Sequence, residues 1–160
     1  MNPLAWILGL ALPACGFPAA QGLSTPPPMD TAHIIRPASP NTALAAPEGF
    51  RPAPDIVTPG YPVPAARLLE LIQREAVSQP RTFQAALYPD RLQVHYVARS
   101  AVLNFPDLVM VQVRDDGLGR SNLILYSRSV YGYGDFGVNR KRVETWLGGL
   151  QTRLTLPSER

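Results

Sequence analysis

Cysteine and histidine are nearly absent, with one of the first and two of the second in 160 residues. One thiol excludes an internal disulfide, and three such side chains leave little from which to build a transition-metal site. Charge is missing altogether from residues 1 to 29, and only Asp30, Arg36, Glu48, Arg51 and Asp55 carry it before residue 65. The 13 basic and 9 acidic residues that follow give a mild net charge of +4, spread along the chain. That excludes the dense basic face a nucleic-acid partner would require. No Gly-x-Ser-x-Gly elbow supports a nucleophile. Gly132-x-Gly134-x-x-Gly137 has dinucleotide-fingerprint spacing, but no further strand follows it and no acid stands about twenty residues on. Neither a cofactor nor a metal is expected.

Proline is abundant instead, and 14 of the 18 prolines fall in residues 1 to 64. The chain therefore divides into a proline-rich front and a domain-like back. Within the front, Leu4, Trp6, Ile7, Leu8, Leu10 and Leu12 form a short apolar run ending at Pro13, which suits the core of an export signal. Residues 1 to 20 then have three possible fates. Leu12-Pro13-Ala14-Cys15-Gly16 resembles a bacterial lipobox, with Cys15 as the lipid-attachment residue. Alternatively, the signal is cleaved after a small residue such as Ala14 or Ala20, or Leu4 to Ala20 stays as a short membrane anchor. All three predict a domain outside the cytoplasm, on the periplasmic side of the cell envelope, and the first and third hold it to a membrane through its N-terminus.

Residues 21 to 63 show no sustained periodicity, and prolines recur every few positions, which stops helix propagation and favours extended chain. This stretch is expected to be a semi-rigid tether, with His33-Ile34-Ile35, Phe50 and Ile56-Val57 apolar enough to dock against the domain.

From 64 to 156 the pattern changes. Ala65, Leu68, Leu69, Ile72 and Ala76 fall at helical spacing behind Pro64, predicting a helix over 64–77. Alternation predicts strands over 82–87 and 92–98 joined by a turn at Tyr88-Pro89-Asp90-Arg91, then strands over 108–113 and 122–128 with a turn at Asp115-Asp116-Gly117. Val143, Trp146, Leu147, Leu150 and Leu154 share one face of a last helix, weakened by Gly148-Gly149. The expected fold is α+β, an antiparallel sheet of about four strands with two helices packed on one face in the order α-β-β-β-β-α.

The stretch Leu125 to Val143, with Tyr126-Ser127-Arg128-Ser129 running into Tyr131-Gly132-Tyr133-Gly134-Asp135-Phe136-Gly137 and then Val138-Asn139-Arg140, resembles the signature of the DUF1499 family of bacterial and plastid proteins. Ala98-Arg99-Ser100 and Phe105-Pro106-Asp107 resemble its middle motif, although many members carry two acidic residues where this chain has Pro106-Asp107. Ser39-Pro40-Asn41 is a faint echo of a Pro-Asn-Cys segment common near the start of members. The family is defined by an unknown function, so the resemblance implies a domain and no reaction.

The signature has physical content of its own. Three glycines surround Asp135 ahead of a helix whose expected N-cap is Asn139, and Arg140, Lys141 and Arg142 sit in its first turn, where cations oppose the helix dipole. Two explanations compete. Asp135 neutralises Arg140 or Arg128 internally in a rigid corner, or Arg128, Ser129, Tyr131, Asp135, Asn139, Arg140 and Arg142 surround an external anion such as a lipid phosphate or a carboxylate. A binding or scaffolding domain with an anionic lipid or an envelope protein as partner is thus expected. The alternative from another class is a small hydrolase using His95 with a partner among Ser100, Ser129, Asp107 and Asp135. Strand alternation places His95 on the exposed side, which speaks against it.

Overall fold

The computed structural model describes residues 12 to 156, so most of the apolar leader lies outside the described residues. Among those described, no helix is long and apolar enough to cross a membrane. The fold is α+β. Helix α1 spans Ala65–Ser78 and α2 Val138–Thr155. The strands are β1 Thr42–Pro47, β2 Ile56–Thr58, β3 Thr82–Tyr88, β4 Gln93–Arg99, β5 Pro106–Gly117 and β6 Arg120–Ser129. They form one sheet in the order β2-β1-β6-β5-β4-β3, antiparallel throughout except for the parallel pair β1 and β2.

The four expected strands are β3 to β6, and both helices cover one face as the pattern predicts. The sheet is nevertheless larger and mixed, because β1 and β2 come from the stretch read as a tether. Thr-Ala-Leu-Ala-Ala-Pro has weak strand preference and lies among prolines, so no alternation announces it. Tertiary pairing overrides that: Thr42 to Ala45 register against Arg128 to Leu125 of β6. Ala43 and Ala45 are fully buried in the helix-side core, and small residues suit a strand that α2 crosses closely. Two further boundaries differ. Strand β5 runs on through Asp115 and Asp116 to Gly117, and the turn is made by Leu118 and Gly119 at φ 52° and 74°. The cap position of α2 is Gly137, ahead of the expected Asn139.

The helix-side core packs Leu68, Ile72, Val143, Trp146 and Leu150 on Tyr96, Val111, Leu123 and Leu125. Trp146 meets Tyr96 edge to face at 5.5 Å, a favoured geometry for two rings. The opposite face is covered by the proline-rich chain. Met29, Ile34 and Phe50 pack over Leu44, Ala46, Met110, Ile124 and Tyr126. This strap is pinned by side chains of the sheet. The Gln93 amide accepts from Met29 N–H at 2.7 Å and donates to Met29 C=O at 3.0 Å. Tyr88 donates to Pro26 C=O, and Thr31 bonds Gln112 and Arg114. The strap is thus part of the domain, and docking of Ile34 and Phe50 agrees with their apolar character in the sequence.

The weak pair in α2 also has a packing reason at one position. A Cβ on Gly149 would stand 2.1 Å from the Glu75 side chain, whereas one on Gly148 would meet nothing within 4 Å. Glu75 is buried at that crossing and its carboxylate accepts from Arg153 at 2.9 Å and Gln79 at 2.6 Å.

Candidate functional site

Register places the ends of β4 and β6 and the starts of β1 and β5 at one end of the sheet, since Arg99 faces Pro106, Asp107 faces Ser129 and Thr42 faces Arg128. The glycine-rich loop therefore closes over the same end as the middle motif. Asp135 organises it. Its carboxylate accepts from the N–H groups of Gly137 (3.0 Å) and Asn139 (2.8 Å), satisfying two otherwise free donors at the start of α2. The capping oxygen is thus that of Asp135.

Asn139 has another task. Fully buried, its amide donates to Asn41 C=O, Ser129 Oγ and Asp135 Oδ2 at 2.7–2.9 Å and accepts from Ser127 Oγ at 2.5 Å. Arg142 donates to the same Asn139 oxygen at 2.8 Å and to Ser127 at 3.0 Å, and pairs with Asp107 at 2.7 Å. Asn41 donates in turn to Gly132 C=O at 2.7 Å. The network ties β1, β5, β6, the loop and α2 together with its polar atoms matched to one another, which is how buried polar groups are tolerated. Of the signature residues, Ser129, Asp135, Asn139 and Arg142 are brought together here. Arg140 is exposed and pairs with Glu144, Tyr131 takes the N–H of Ala14 at 3.4 Å, and Arg128 makes no ion pair or side-chain hydrogen bond among the described residues. Asp135 pairs with neither Arg140 nor Arg128; among the described residues, the one cation of the corner with an internal carboxylate partner is Arg142, on Asp107. Within the signature no pattern singles out Ser127, and Asn41 is marked in the sequence only by the faint Pro-Asn-Cys echo of Ser39-Pro40-Asn41.

His95 is buried, against the expectation of an exposed strand histidine. The strap covers the face that alternation assigned to solvent. Its Nε2 lies 2.8 Å from Gln93 Oε1, which can only accept, so Nε2 carries the proton. Tyr88 stacks edge to face on the ring. Burial pushes its pKa from 6.5 down to about 4. No serine or carboxylate is among its hydrogen-bond partners in the described residues, so the geometry offers the hydrolase reading no triad. No group of three metal-ligating side chains occurs among the described residues either.

Arg99, in the middle motif, is a residue the sequence flagged without a role. It is buried, and its guanidinium donates to the carbonyls of Ala14, Ala19 and Gln21 at 2.5–2.8 Å and of Asn104 at 3.0 Å. Asn104 adds bonds to the carbonyls of Cys15 and Phe17. Residues 14 to 21 are thereby held at this end of the sheet through their backbone carbonyls. Cys15 is fully buried in that arrangement, and burial raises its thiol pKa, Arg99 acting weakly the other way. The docked segment exposes Phe17 by about half, and the glycine-rich loop and start of α2 expose Tyr133, Phe136, Val138, Arg140 and Lys141.

Among curated proteins, none matches this sequence. The chain is similar to the protein TTHA0849 from Thermus thermophilus, known from its crystal structure, at 12% identity and a TM-score of 0.43, over 74% of this chain and 99% of that one. The model of the family described as "Protein of unknown function (DUF1499)" matches residues 28–150, from the strap through β1 and the capped corner into α2, and the chain belongs to that family.

Proposed function

We propose that this protein is an extracytoplasmic binding domain of the cell envelope, tethered to a membrane through its N-terminus, which holds anionic groups and performs no chemistry of its own. The observation that carries this reading is the composition of one end of the molecule. The segment from Ala14 to Gln21 is docked there, and the exposed Tyr133, Phe136 and Val138 are close in sequence to the exposed Arg140 and Lys141. Aromatic rings flanked by cations suit the boundary of a bilayer, where rings enter the headgroup level and cations meet lipid phosphates. The ion pair of Arg140 with Glu144 is exposed on both sides, so it is readily exchanged for a phosphate. Against catalysis stands the engagement of His95, Asp107, Ser129 and Asp135 in bonds that hold the fold.

The test uses the full-length chain in cell membranes. Wild type is expected in the membrane fraction, either with acyl label on Cys15 that Cys15→Ser abolishes or, without label, through a retained apolar leader; a wholly soluble product rejects the tether. A photoreactive anionic lipid should label residues 130–142, and the double variant Phe136→Ser/Arg140→Ala should reduce that label several-fold. Equal labelling rejects headgroup recognition at this loop.

A further inference from the structure

A chamber of about 230 Å³ lies between the strap and the sheet, where residues 26–29 face His95, Leu108, Met110, Tyr126 and Arg128. Its walls are mainly proline, methionine, leucine and ring carbon. Arg128 is the one formally charged residue among those lining it, and its guanidinium has no ion-pair or hydrogen-bond partner among the described residues. Arg128 and Tyr126 also line the adjoining surface depression with Asp30, His33, Ile34 and Pro37, where Asp30 is paired with His33, so Arg128 is shared by chamber and depression. The Tyr126 hydroxyl is buried without a hydrogen-bond partner among the described residues, with Arg128, Arg36 and Thr42 as its polar neighbours. Burial holds His95 neutral at pH 7, and that side chain is engaged with Gln93.

An apolar hollow with a few convergent polar groups is the usual form of a small-molecule site. We propose that this chamber binds a small amphipathic monoanion: a short hydrocarbon tail lies between strap and sheet, and its single carboxylate is held by Arg128, within reach of the Tyr126 hydroxyl. Size sets the tail. An apolar cavity of about 150 Å³ accepts benzene, so this one has room for roughly nine or ten heavy atoms on the same scale, the size of octanoate. Arg36, the other cation near Tyr126, is already paired with Asp55, so among the described residues the site has one unpaired cation, which favours a monoanion over a phosphate carrying two charges.

The site goes beyond membrane tethering and is tested separately from it. Octanoate carrying a tail diazirine is photolysed with the full-length chain in its membranes, and labelled peptides are mapped. Label is expected on the strap around Met29 and on β5 around Met110. Excess octanoate should remove it, whereas octanol, with the same tail and no charge, and acetate, with the same charge and no tail, should compete at least tenfold more weakly. Arg128→Met should lower labelling about tenfold or more, in keeping with loss of a charge-assisted bond. Leu108→Trp, at a half-buried position, should fill the chamber and abolish labelling, with far-ultraviolet circular dichroism checking that the fold persists. Equal competition by octanol, unchanged labelling of Arg128→Met, or label scattered outside the strap and β5 overturns the proposal. A soluble chain that still labels at Met29 and Met110 would remove the tether and leave the chamber standing.

Discussion

The two faces of the sheet are closed by different means. One is sealed by helices whose residues recur at 3.6 spacing and interdigitate around Trp146 and Tyr96. The other is covered by a proline-rich strap that touches down at Met29, Ile34 and Phe50 and is otherwise pinned through hydrogen bonds to its backbone and to the Thr31 hydroxyl. A strap fastened at points cannot fill the space beneath it as a helix does. The unfilled space is where a ligand fits, so the looser face is the one with capacity for binding.

The largest effect that sharpens this contrast is expected from Trp146→Ala, which should cost about 3–5 kcal/mol in urea unfolding at pH 7. Ile34→Ala, on the face that can settle, should cost about 2 kcal/mol, the low end for such a truncation. Equal costs would mean that the two faces are packed alike. Next comes acid sensitivity, which belongs to the strap face through His95. Its folded pKa of about 4 lies below the ordinary 6.5, so between those values the unfolded chain takes up a proton that the folded one refuses. This contribution is complete above pH 6.5 and is lost as pH falls toward 4, by up to about 3 kcal/mol. His95→Gln should flatten that window; the same slope in wild type and variant would show that the strap face does not titrate through His95. At the helix crossing a single added methyl group is the probe. Gly149→Ala should destabilise by about 1–3 kcal/mol, since Glu75 must leave Arg153 and Gln79. Gly148→Ala, pointing into open space, should stabilise by about 0.5–1 kcal/mol. A stabilising Gly149→Ala would show that the helices have slack at this point.

Legibility in the sequence followed the same division. Both helices and strands β3 to β6 announce themselves, because a face packed on a regular partner imposes a regular pattern on residues such as Val94, Tyr96 and Ala98. Strand β1 gives no such signal: Ala43 and Ala45 are small because of what crosses them, a constraint that lies in α2 far along the chain. His95 was assigned to solvent for a related reason, since alternation reports that it faces away from the helices and is silent about a strap on that side. At the corner, the residue types in the signature marked the right place, and Ser129, Asp135, Asn139 and Arg142 do converge. Their roles needed geometry. Local rules nominate Asn139 as a cap, but its burial among Ser127, Asn41 and Ser129 gives capping to Asp135.

The position of β1 also sets the timetable of assembly. The segment that is synthesised early finds its main partner in β6, the last strand made, so for most of translation it has only the three-residue β2 beside it. Long-range pairing of this kind makes folding slow and concentrates it in one late step. An unpaired strand waiting through that interval risks adhering to foreign edges, and a run of alanines closed by Pro47 is a poor adhesive. The same weak strand preference that hides β1 from inspection thus protects the nascent chain until its own β6 arrives.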